Sequence, residues 1–357
     1  MQTAATPTRF IALDGVRGVA AIAVVLFHYS QFNADAWLAR AWVAVDIFVC
    51  LSGFVIAHTY QKKLAEGMPF SVFFGRRLNR LYPLYLFGLA LGAMTFVADP
   101  ANRGTLGAAE SAKAFALGVF VLPYLNGASV GDGAGTVVGP LFPFNGPAWS
   151  MFFELVANAA FFALVYLRAK RLGWVIGTSA LLYLLASHAA GGLNGGWSAS
   201  SFVVGFPRVV FSFMVGVLIY RLRVPGRLVA ARYGLLCVLA MLLVFVLPGS
   251  RLVSLLGVLA LGPLVVWTNA GVQPGPRLAS ACAFLGAISY PLYITHVPVF
   301  RCLSLLASES GWAAPAWLLT LGATALAVLA AWCLSWLDEV ARRRTRRLAF
   351  GTRGAER

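Results

Sequence analysis

The apolar run LDGVRGVAAIAVVLFH carries an arginine near its start and a histidine at its end. Arg17 and His28 are eleven positions apart, which in an α-helix is just over three turns and about 16 Å along the axis. Both side chains therefore point to nearly the same side of one helix. Ionisable side chains are costly inside a membrane-length apolar helix, so both are functional candidates. The alternative is a snorkelling Arg17 beside Asp14 and a structural, hydrogen-bonded His28.

A carboxylate opens the next apolar run, VAVDIFVCLSGFVI. Asp46 enters this second run close to where the first one ends, so we expect it near the level of His28. A carboxylate there can orient an imidazole and stabilise its charge, a pairing found in many acyl-transfer sites. Ser52 and Gly53 follow in the same run, and small residues at these positions favour close approach of two helices.

Arginines cluster in the segment FFGRRLNRLYPLY, just before Pro83. Arg77 and Arg80 are three positions apart and share one helix face, with Arg76 beside them. Two guanidinium groups placed in this way can grip phosphate groups with paired hydrogen bonds. Taken alone, the cluster also fits the basic rim that flanks many membrane spans on the cytoplasmic side.

Two further apolar runs carry polar residues. In NGPAWSMFFELVANAAFF, Glu154 lies well inside the run and needs a partner, unless it is neutral through a raised pKa or held by a structural hydrogen bond. In FLGAISYPLYITHVPVF, His296 shares a helix face with Ser289, and Tyr290 and Tyr293 lie between them. The simplest interpretation of His296 alone is a hydrogen-bonded core histidine.

The elements that must position these residues are membrane spans. Of the 357 residues, 60% are hydrophobic and only 11% are charged, which is too little polar surface for a soluble domain of this length. Apolar stretches of about 20 residues, long enough to cross a bilayer, recur along the chain. The sequence predicts an all-α polytopic transmembrane bundle with ten spans, at about 18–31, 42–60, 81–98, 148–167, 173–190, 202–221, 234–248, 252–270, 281–304 and 316–337.

The placement of charge indicates the orientation of these spans. The net charge is +16, but the basic residues stand in short segments between apolar runs, as in cytoplasmic loops, which argues against a nucleic-acid partner. Ten spans with both termini cytoplasmic leave most of the 28 Lys and Arg residues inside, whereas an eleventh span removes this asymmetry. The five cysteines all fall in apolar stretches and form neither a disulfide nor a metal-ligand pattern.

The domain organisation is simple. We expect one integral membrane domain over 1–341 and a basic cytoplasmic tail over 342–357. Residues 99–147 form the longest segment without a span and are rich in Gly and Pro, so we expect a long outer loop that is either a flexible linker or a lid over an acceptor. Within it, the run 113–125 is too short for a span and is interpreted as an interfacial or re-entrant piece.

Taken together and in this order, the segments resemble acyltransferase family 3, the integral membrane acyltransferases that O-acylate bacterial polysaccharides and related glycans. The resemblance extends from Leu13 to His296. It implies a donor, a cytoplasmic acyl-coenzyme A, and an acceptor hydroxyl, often on a lipid-linked or extracytoplasmic saccharide. Arg17 and His28 match the essential Arg/His pair of the family, and Arg77 with Arg80 match its arginine motif.

On this resemblance, Arg77 and Arg80, helped by Arg17, hold the coenzyme at the inner mouth, and His28 is the general base. Asp46 or Glu154 orients the imidazole. Ser52, Arg76, Tyr290 and His296 complete the list of site candidates.

We expect acyl-CoA, with acetyl as the favoured acyl group, to serve as a substrate and no cofactor or metal to be permanently bound. The expected partners are this donor, a saccharide or lipid-linked glycan, and the lipids of the cell (inner or plasma) membrane. Direct transfer and an acyl-histidine relay both remain open. The alternative function is a transporter or flippase, because ten spans with buried charges also describe many carriers.

Overall fold

The computed structural model describes residues 9–32, 37–102, 104–131, 136–167, 171–224, 226–247, 250–310 and 314–351. The main helices are α1 (Ile11–Phe32), α2 (Ala44–Ala65), α3 (Phe70–Ala98), α4 (Ala108–Val119), α5 (Ala148–Tyr166), α6 (Leu172–Ala189), α7 (Phe202–Leu222), α8 (Ala231–Val246), α9 (Arg251–Leu256), α10 (Gly262–Asn269), α11 (Pro276–Ser310) and α12 (Ala316–Gly351). A π-helical turn, Gly257–Leu261, joins α9 to α10. Single 3-10 turns are found at Ala41–Val43, Pro100–Asn102 and Ala199–Ser201.

In the described part of the chain, nine helical segments are long and apolar enough to cross a membrane. Each coincides with one of the predicted spans, so the prediction of an all-α polytopic bundle is confirmed. The remaining predicted span, 234–248, corresponds to α8, which has only 16 residues. A helix of that length extends about 24 Å, less than the thickness of a typical hydrocarbon core.

Contacts between helix ends define two faces of the bundle. The Arg223 guanidinium, just after α7, lies 4.6 Å from the centre of the Phe10 ring at the start of α1. Arg221 near the end of α7 donates a 3.0 Å hydrogen bond to Gln61 near the end of α2. We call the face at which α1 begins and α2 and α7 end the N-terminal face, and the other the distal face. The sequence predicts that the N-terminal face is cytoplasmic.

Helices α2 and α7 pack with their backbones in direct contact. A Cβ atom added to Gly53 would lie 2.0 Å from the carbonyl oxygen of Phe213, and one added to Gly216 would lie 1.9 Å from that of Cys50. Only glycine fits at either position, because any side chain would push the two helices apart. The small-residue packing predicted for Gly53 is therefore present.

Helix α4 packs against α3 through Ala114 and Gly118, and most of its other residues are exposed or half-buried. Its last turn lies beside the middle of α3, where Tyr82 and Tyr85 donate hydrogen bonds to the carbonyl oxygens of Val119 and Gly118. The last carbonyls of a helix have no partner within the helix, and lipid offers none, so these two phenols satisfy groups that water would otherwise cover. Whether 113–125 is interfacial or re-entrant stays a prediction.

The end of the long loop is built into the bundle. Leu141 and Asn145 are fully buried; Asn145 Nδ2 donates a 3.0 Å hydrogen bond to the Ile294 carbonyl oxygen in α11. Arg301 donates a 3.0 Å hydrogen bond to the Pro143 carbonyl oxygen. Residues 139–147 therefore do not behave as a flexible linker. Before them, strands β1 (Ser129–Gly131) and β2 (Thr136–Val138) form an antiparallel pair with Val130 opposite Val137.

The predicted basic tail is described only in part. Helix α12 continues to Gly351, which brings its backbone well past the predicted end of the last span at 337. Residues 352–357 and the side chains of 341–351 lie outside the described residues. The tail therefore stays a prediction.

Candidate active site

Two histidines from distant parts of the sequence meet between α1 and α11. The Nε2 atom of His296 lies 3.0 Å from Nδ1 of His28. The Nδ1 atom of His28 is also 3.0 Å from the Val24 carbonyl oxygen, and Nδ1 of His296 is 2.7 Å from the Tyr293 carbonyl oxygen. The Tyr29 hydroxyl donates a 2.7 Å hydrogen bond to the carbonyl oxygen of His296 and holds the two helices in register.

These contacts assign the protons of the pair when both rings are neutral. A carbonyl oxygen only accepts, so Nδ1 of His296 carries the proton that it donates to Tyr293, and Nε2 of His296 is an acceptor. Nδ1 of His28 then carries the proton directed at that acceptor and at Val24. In this tautomer Nε2 of His28 carries a lone pair and no proton. His28 is thus set up as a proton acceptor through Nε2, with His296 fixing its tautomer.

His28 lines a cavity at the distal face, which we call the distal cavity. Its volume is about 320 Å³. Three indole side chains, those of Trp42, Trp149 and Trp197, stand in its wall together with Asn194. Residues of the buried loop end, 139–147, close another side of it. A cavity of this composition, mostly apolar and aromatic with a few polar groups, is typical of a small-molecule binding site.

Asp46 takes a different position from the one expected. Its carboxylate receives a hydrogen bond of 2.8 Å from Nη2 of Arg208 in α7 and one of 3.2 Å from the hydroxyl of Ser212. Asp46 is only 3% exposed and Arg208 is fully buried, so each ion neutralises a charge that the bundle could not otherwise hold. The side chain that contacts the His28 imidazole from another helix is His296 of α11. The expected pairing of Asp46 with the imidazole is replaced by a buried ion pair.

This ion pair supports the wall of the distal cavity. The Arg208 guanidinium lies 5.1 Å from the centre of the Trp42 ring and 5.3 Å from that of the Trp149 ring. It also donates hydrogen bonds to Asn194 and to the Gly195 carbonyl oxygen. Three groups that line the distal cavity, Trp42, Trp149 and Asn194, are therefore held by one arginine, whose own position depends on Asp46.

Glu154 and Arg77 form a second ion pair, in a small cavity of about 120 Å³ that we call the central cavity. Nη2 of Arg77 lies 3.0 Å from Oε1 of Glu154, and the Ser52 hydroxyl donates a 2.5 Å hydrogen bond to the same oxygen. The partner that the sequence required for Glu154 is therefore Arg77. Ser52 binds Glu154 in addition to lying beside the close contact between α2 and α7. Glu154, like Asp46, is engaged by an arginine from another helix.

The arginine motif is divided between two environments. Arg77 is 6% exposed and lines the central cavity, so it is not the rim residue that the sequence pattern indicated. Arg80 is exposed and lines both the central cavity and a third, larger cavity. Arg76 is exposed and lines none of the three cavities of the described site. Arg77 and Arg80 therefore share the central cavity, as their spacing on one helix face predicts, whereas Arg76 is separate from them.

The third cavity, which we call the N-terminal cavity, has a volume of about 630 Å³. Its charged lining consists of Arg9, Arg17 and Arg80 together with Asp14, Asp338 and Glu339. Arg17 donates a 2.7 Å hydrogen bond from Nε to the Ser289 hydroxyl and a 2.8 Å hydrogen bond from Nη2 to the Gly286 carbonyl oxygen. It also contacts Asp14 at 3.2 Å, so the pair proposed as the alternative for these residues does form. Arg17 therefore has a fixed position in α1 against α11.

The three cavities lie in a row from one face to the other. The N-terminal and central cavities share Arg17, Leu51, Val55, Arg80 and Tyr290 in their walls, and the central and distal cavities share Val45 and Tyr293. Tyr290 donates a 2.5 Å hydrogen bond to the Leu81 carbonyl oxygen, and the Tyr293 hydroxyl is 2.8 Å from that of Ser150. The row begins beside Arg17 and ends beside His28, along the helix side on which the sequence placed both.

Sequence reasoning missed Arg208 and Trp42. Arg208 stands inside the apolar run SFVVGFPRVVFSF, within the predicted span 202–221. A buried carboxylate such as Asp46 requires a cation, and an arginine within a span was the available signal. Trp42 precedes the second run. Its position there fits a tryptophan that anchors a span at the membrane interface equally well as one that forms a cavity wall.

Comparison with known proteins identifies the family. The family model of acyltransferase family 3, described as an acyltransferase domain, matches residues 10–336. The chain is similar to "Protein 2 in picA locus" of Rhizobium radiobacter, with 42% identity over 167 residues, which are 43% of this chain and 82% of that relative. No solved structure matches the chain significantly. With a match over nearly its whole length and nine membrane-length helices in its described part, the chain belongs to acyltransferase family 3 and is a multi-pass membrane protein.

Proposed function

We propose that this protein transfers an acyl group, with acetyl favoured, from acyl-CoA at the N-terminal face to a hydroxyl of a saccharide or glycoside in the distal cavity. The observation that carries the proposal is the row of three cavities that begins at Arg17 and Arg80 and ends at His28. The row offers separate places for a phosphate-bearing donor and a hydroxyl-bearing acceptor, with the candidate base between them.

The N-terminal cavity suits the nucleotide end of the donor. Coenzyme A carries a diphosphate and a further phosphate, and guanidinium groups bind phosphate oxygens with paired, charge-assisted hydrogen bonds. Arg9, Arg17 and Arg80 line the cavity and supply such groups, although Asp14, Asp338 and Glu339 line it too and Asp14 already pairs with Arg9 and Arg17. Arg17 and His28 are about 16 Å apart along α1, a separation of the order of an extended pantetheine arm. The thioester would then reach the imidazole through the central cavity.

The chemistry at His28 is a direct transfer. Nε2 of His28 accepts the proton of the acceptor hydroxyl, and the oxygen attacks the thioester carbonyl carbon. A carbon–oxygen bond forms, the carbon–sulfur bond breaks, and the thiolate leaves with the proton returned by the imidazolium. The products are an ester and the free thiol, so no other reactant is needed. His296 holds the tautomer that makes Nε2 the accepting atom.

The distal cavity suits a sugar acceptor. Flat indole faces fit the C–H-bearing face of a pyranose ring, and the wall contains Trp42, Trp149 and Trp197. Asn194 and Arg301 stand in the same wall and can meet ring hydroxyls. A cavity with this balance of aromatic and polar groups fixes the orientation of a polyhydroxylated ligand. Such a ligand brings one hydroxyl to the imidazole of His28.

The test uses purified protein in lipid nanodiscs, labelled acetyl-CoA and a mixture of cell-surface glycans. His28→Ala should lower label transfer by about 10²–10⁴-fold. His188→Ala is the matched control, because His188 is exposed at the end of α6 and should leave transfer unchanged. Retained transfer in a folded His28→Ala variant would refute the role of His28. Passage of an unmodified glycan across the membrane, with no acyl transfer by the wild type, would support the carrier alternative instead.

A further inference from the structure

A cavity separate from the row lies at the N-terminal face, at the periphery of the bundle. It is enclosed by the end of α7, the start of α8 and the end of α10, and its volume is about 760 Å³. We call it the peripheral cavity. Its apolar wall is formed by Ile219, Leu222, Leu236 and Leu264. The proposed reaction uses none of these residues.

The apolar wall faces the surroundings of the protein. Leu222 is 58% exposed, Leu236 is 60% exposed and Leu264 is 50% exposed. On a membrane protein, exposed leucines on spanning helices contact lipid acyl chains. Tyr233 and Trp267 stand in the same wall and are also exposed. Aromatic side chains of this kind are enriched where headgroups meet acyl chains, so the cavity lies at the level of the headgroups.

Two arginines complete the wall. Arg223 and Arg227 both line the cavity, and among its described lining residues none is acidic. The Nε atom of Arg223 is buried and has no hydrogen-bond acceptor in the described part of the protein. A buried donor without an acceptor is costly, and the Phe10 ring beneath this guanidinium offers only its face. The buried Nε itself has no surface open to the cavity. The site therefore combines two arginines, no acidic residue in its described wall, and an apolar wall.

We propose that the peripheral cavity binds the headgroup of an anionic phospholipid. Arg223 and Arg227 hold its phosphate, and its acyl chains lie along the exposed leucines of α7, α8 and α10. Basic pockets between spanning helices are known binding places for such headgroups. A lipid fits better than a free phosphate compound because the wall beside the arginines is apolar and exposed to the bilayer.

The lipid would also act on the neighbouring N-terminal cavity, and this part rests on the proposed function. Phe10 lines the N-terminal cavity and stacks under Arg223. Phe10 also packs edge-on against His58, another wall residue of that cavity, with ring centres 5.0 Å apart. A phosphate that fixes Arg223 thereby fixes one wall of the proposed donor site. We expect a lower KM for acyl-CoA when an anionic lipid is bound.

The primary test measures lipid binding without the reaction. Purified wild-type protein, an Arg223→Gln/Arg227→Gln variant and an Arg277→Gln control are titrated with phosphatidylglycerol and with phosphatidylcholine, and bound lipid is counted by native mass spectrometry. Arg277 is an exposed arginine near the same face that does not line the cavity. We expect the double variant to bind phosphatidylglycerol at least tenfold more weakly, with the control and phosphatidylcholine binding unchanged. Equal phosphatidylglycerol binding by all three proteins would overturn the proposal.

Two further measurements use the wild type alone, so they do not depend on the folding of a variant. Phosphatidylglycerol should raise the Tm of the wild-type protein in nanodiscs above that in pure phosphatidylcholine, and equal values would count against the site. Inorganic phosphate or free coenzyme A should not displace the bound lipid. Displacement by either would show that the cavity takes a soluble phosphate compound. A lipid effect on binding and Tm without one on KM would leave the site standing and remove only its link to the donor.

Discussion

Nε2 of His296 lies 3.0 Å from Nδ1 of His28, across two helices whose histidines are 268 positions apart in the sequence. The contact gives His28 a defined tautomer, because His296 itself is held by the Tyr293 carbonyl oxygen. His296 does not line any of the three cavities, whereas His28 lines the distal one. The two imidazoles therefore have different roles in the proposed reaction: one accepts a proton, and the other positions it.

Replacement of His296 by alanine should lower kcat by about tenfold to a hundredfold, less than the loss expected for His28→Ala, because the base keeps its contact with Val24 but loses the second ring that orients it. The KM values for donor and acceptor should change little. The measurement is the pH profile of kcat, whose midpoint should move in His296→Ala. A profile that keeps its midpoint, with activity reduced only in proportion to folded protein, would indicate a packing role alone.

Asp46→Asn should destabilise the protein by about 3–5 kcal/mol, because the change leaves the fully buried Arg208 without its counter-charge. Thermal unfolding measures this loss. The double variant Asp46→Leu/Arg208→Met removes both charges and should recover much of the stability. It should still show a raised KM for the acceptor, because Trp42 and Trp149 lose their support. A double variant with wild-type KM would contradict the link between this ion pair and the distal cavity.

Arg80→Ala should raise the KM for acyl-CoA by about tenfold, the equivalent of one lost charge-assisted contact to a phosphate. The effect should shrink at high salt, since Arg80 is exposed and its field is screened there. Steady-state kinetics at two salt concentrations measure both. Arg171→Ala is the control, an exposed arginine before α6 that lines none of the three cavities. Equal KM values for the two variants would exclude Arg80 from donor binding.

Gly216→Ala should destabilise the bundle by about 1–3 kcal/mol, because the added methyl group would lie 1.9 Å from the Cys50 carbonyl oxygen and must push α2 away from α7. Gly322→Ala is its matched control, as a Cβ atom there meets nothing within 4 Å. The comparison is made by thermal unfolding in the same nanodiscs. Similar stability of the two variants would show that the α2–α7 contact can relax.

The spans could be predicted from the sequence because hydrophobic length is a local property. The same holds for the shared side of Arg17 and His28, which depends only on the geometry of one helix. Partners across helices could not be predicted, because the rotation and depth of each helix depend on packing. Asp46 was expected beside His28 on the basis of depth alone. In the structure, the rotation of α2 directs the Asp46 carboxylate toward Arg208 of α7 and not toward His28.

The arginine motif shows the same limit on a single helix. A spacing of three positions puts Arg77 and Arg80 on one face, yet one is buried against Glu154 and the other is exposed. The difference arises because α5 brings Glu154 to Arg77 only. No local sequence pattern shows which arginine Glu154 will bind. That Glu154 needs a partner was evident from its position in an apolar run.

The narrowness of the central cavity has a consequence for the cell. Large cavities approach it from both faces, so little protein separates the two solutions at this point. The rings of Phe48 and Tyr293 meet edge-on there, with centres 5.4 Å apart, and both line the central cavity of about 120 Å³. The electrical insulation that the bilayer provides elsewhere depends here on these few side chains. On the proposed function, the acyl group passes this point while the same side chains limit the leakage of protons.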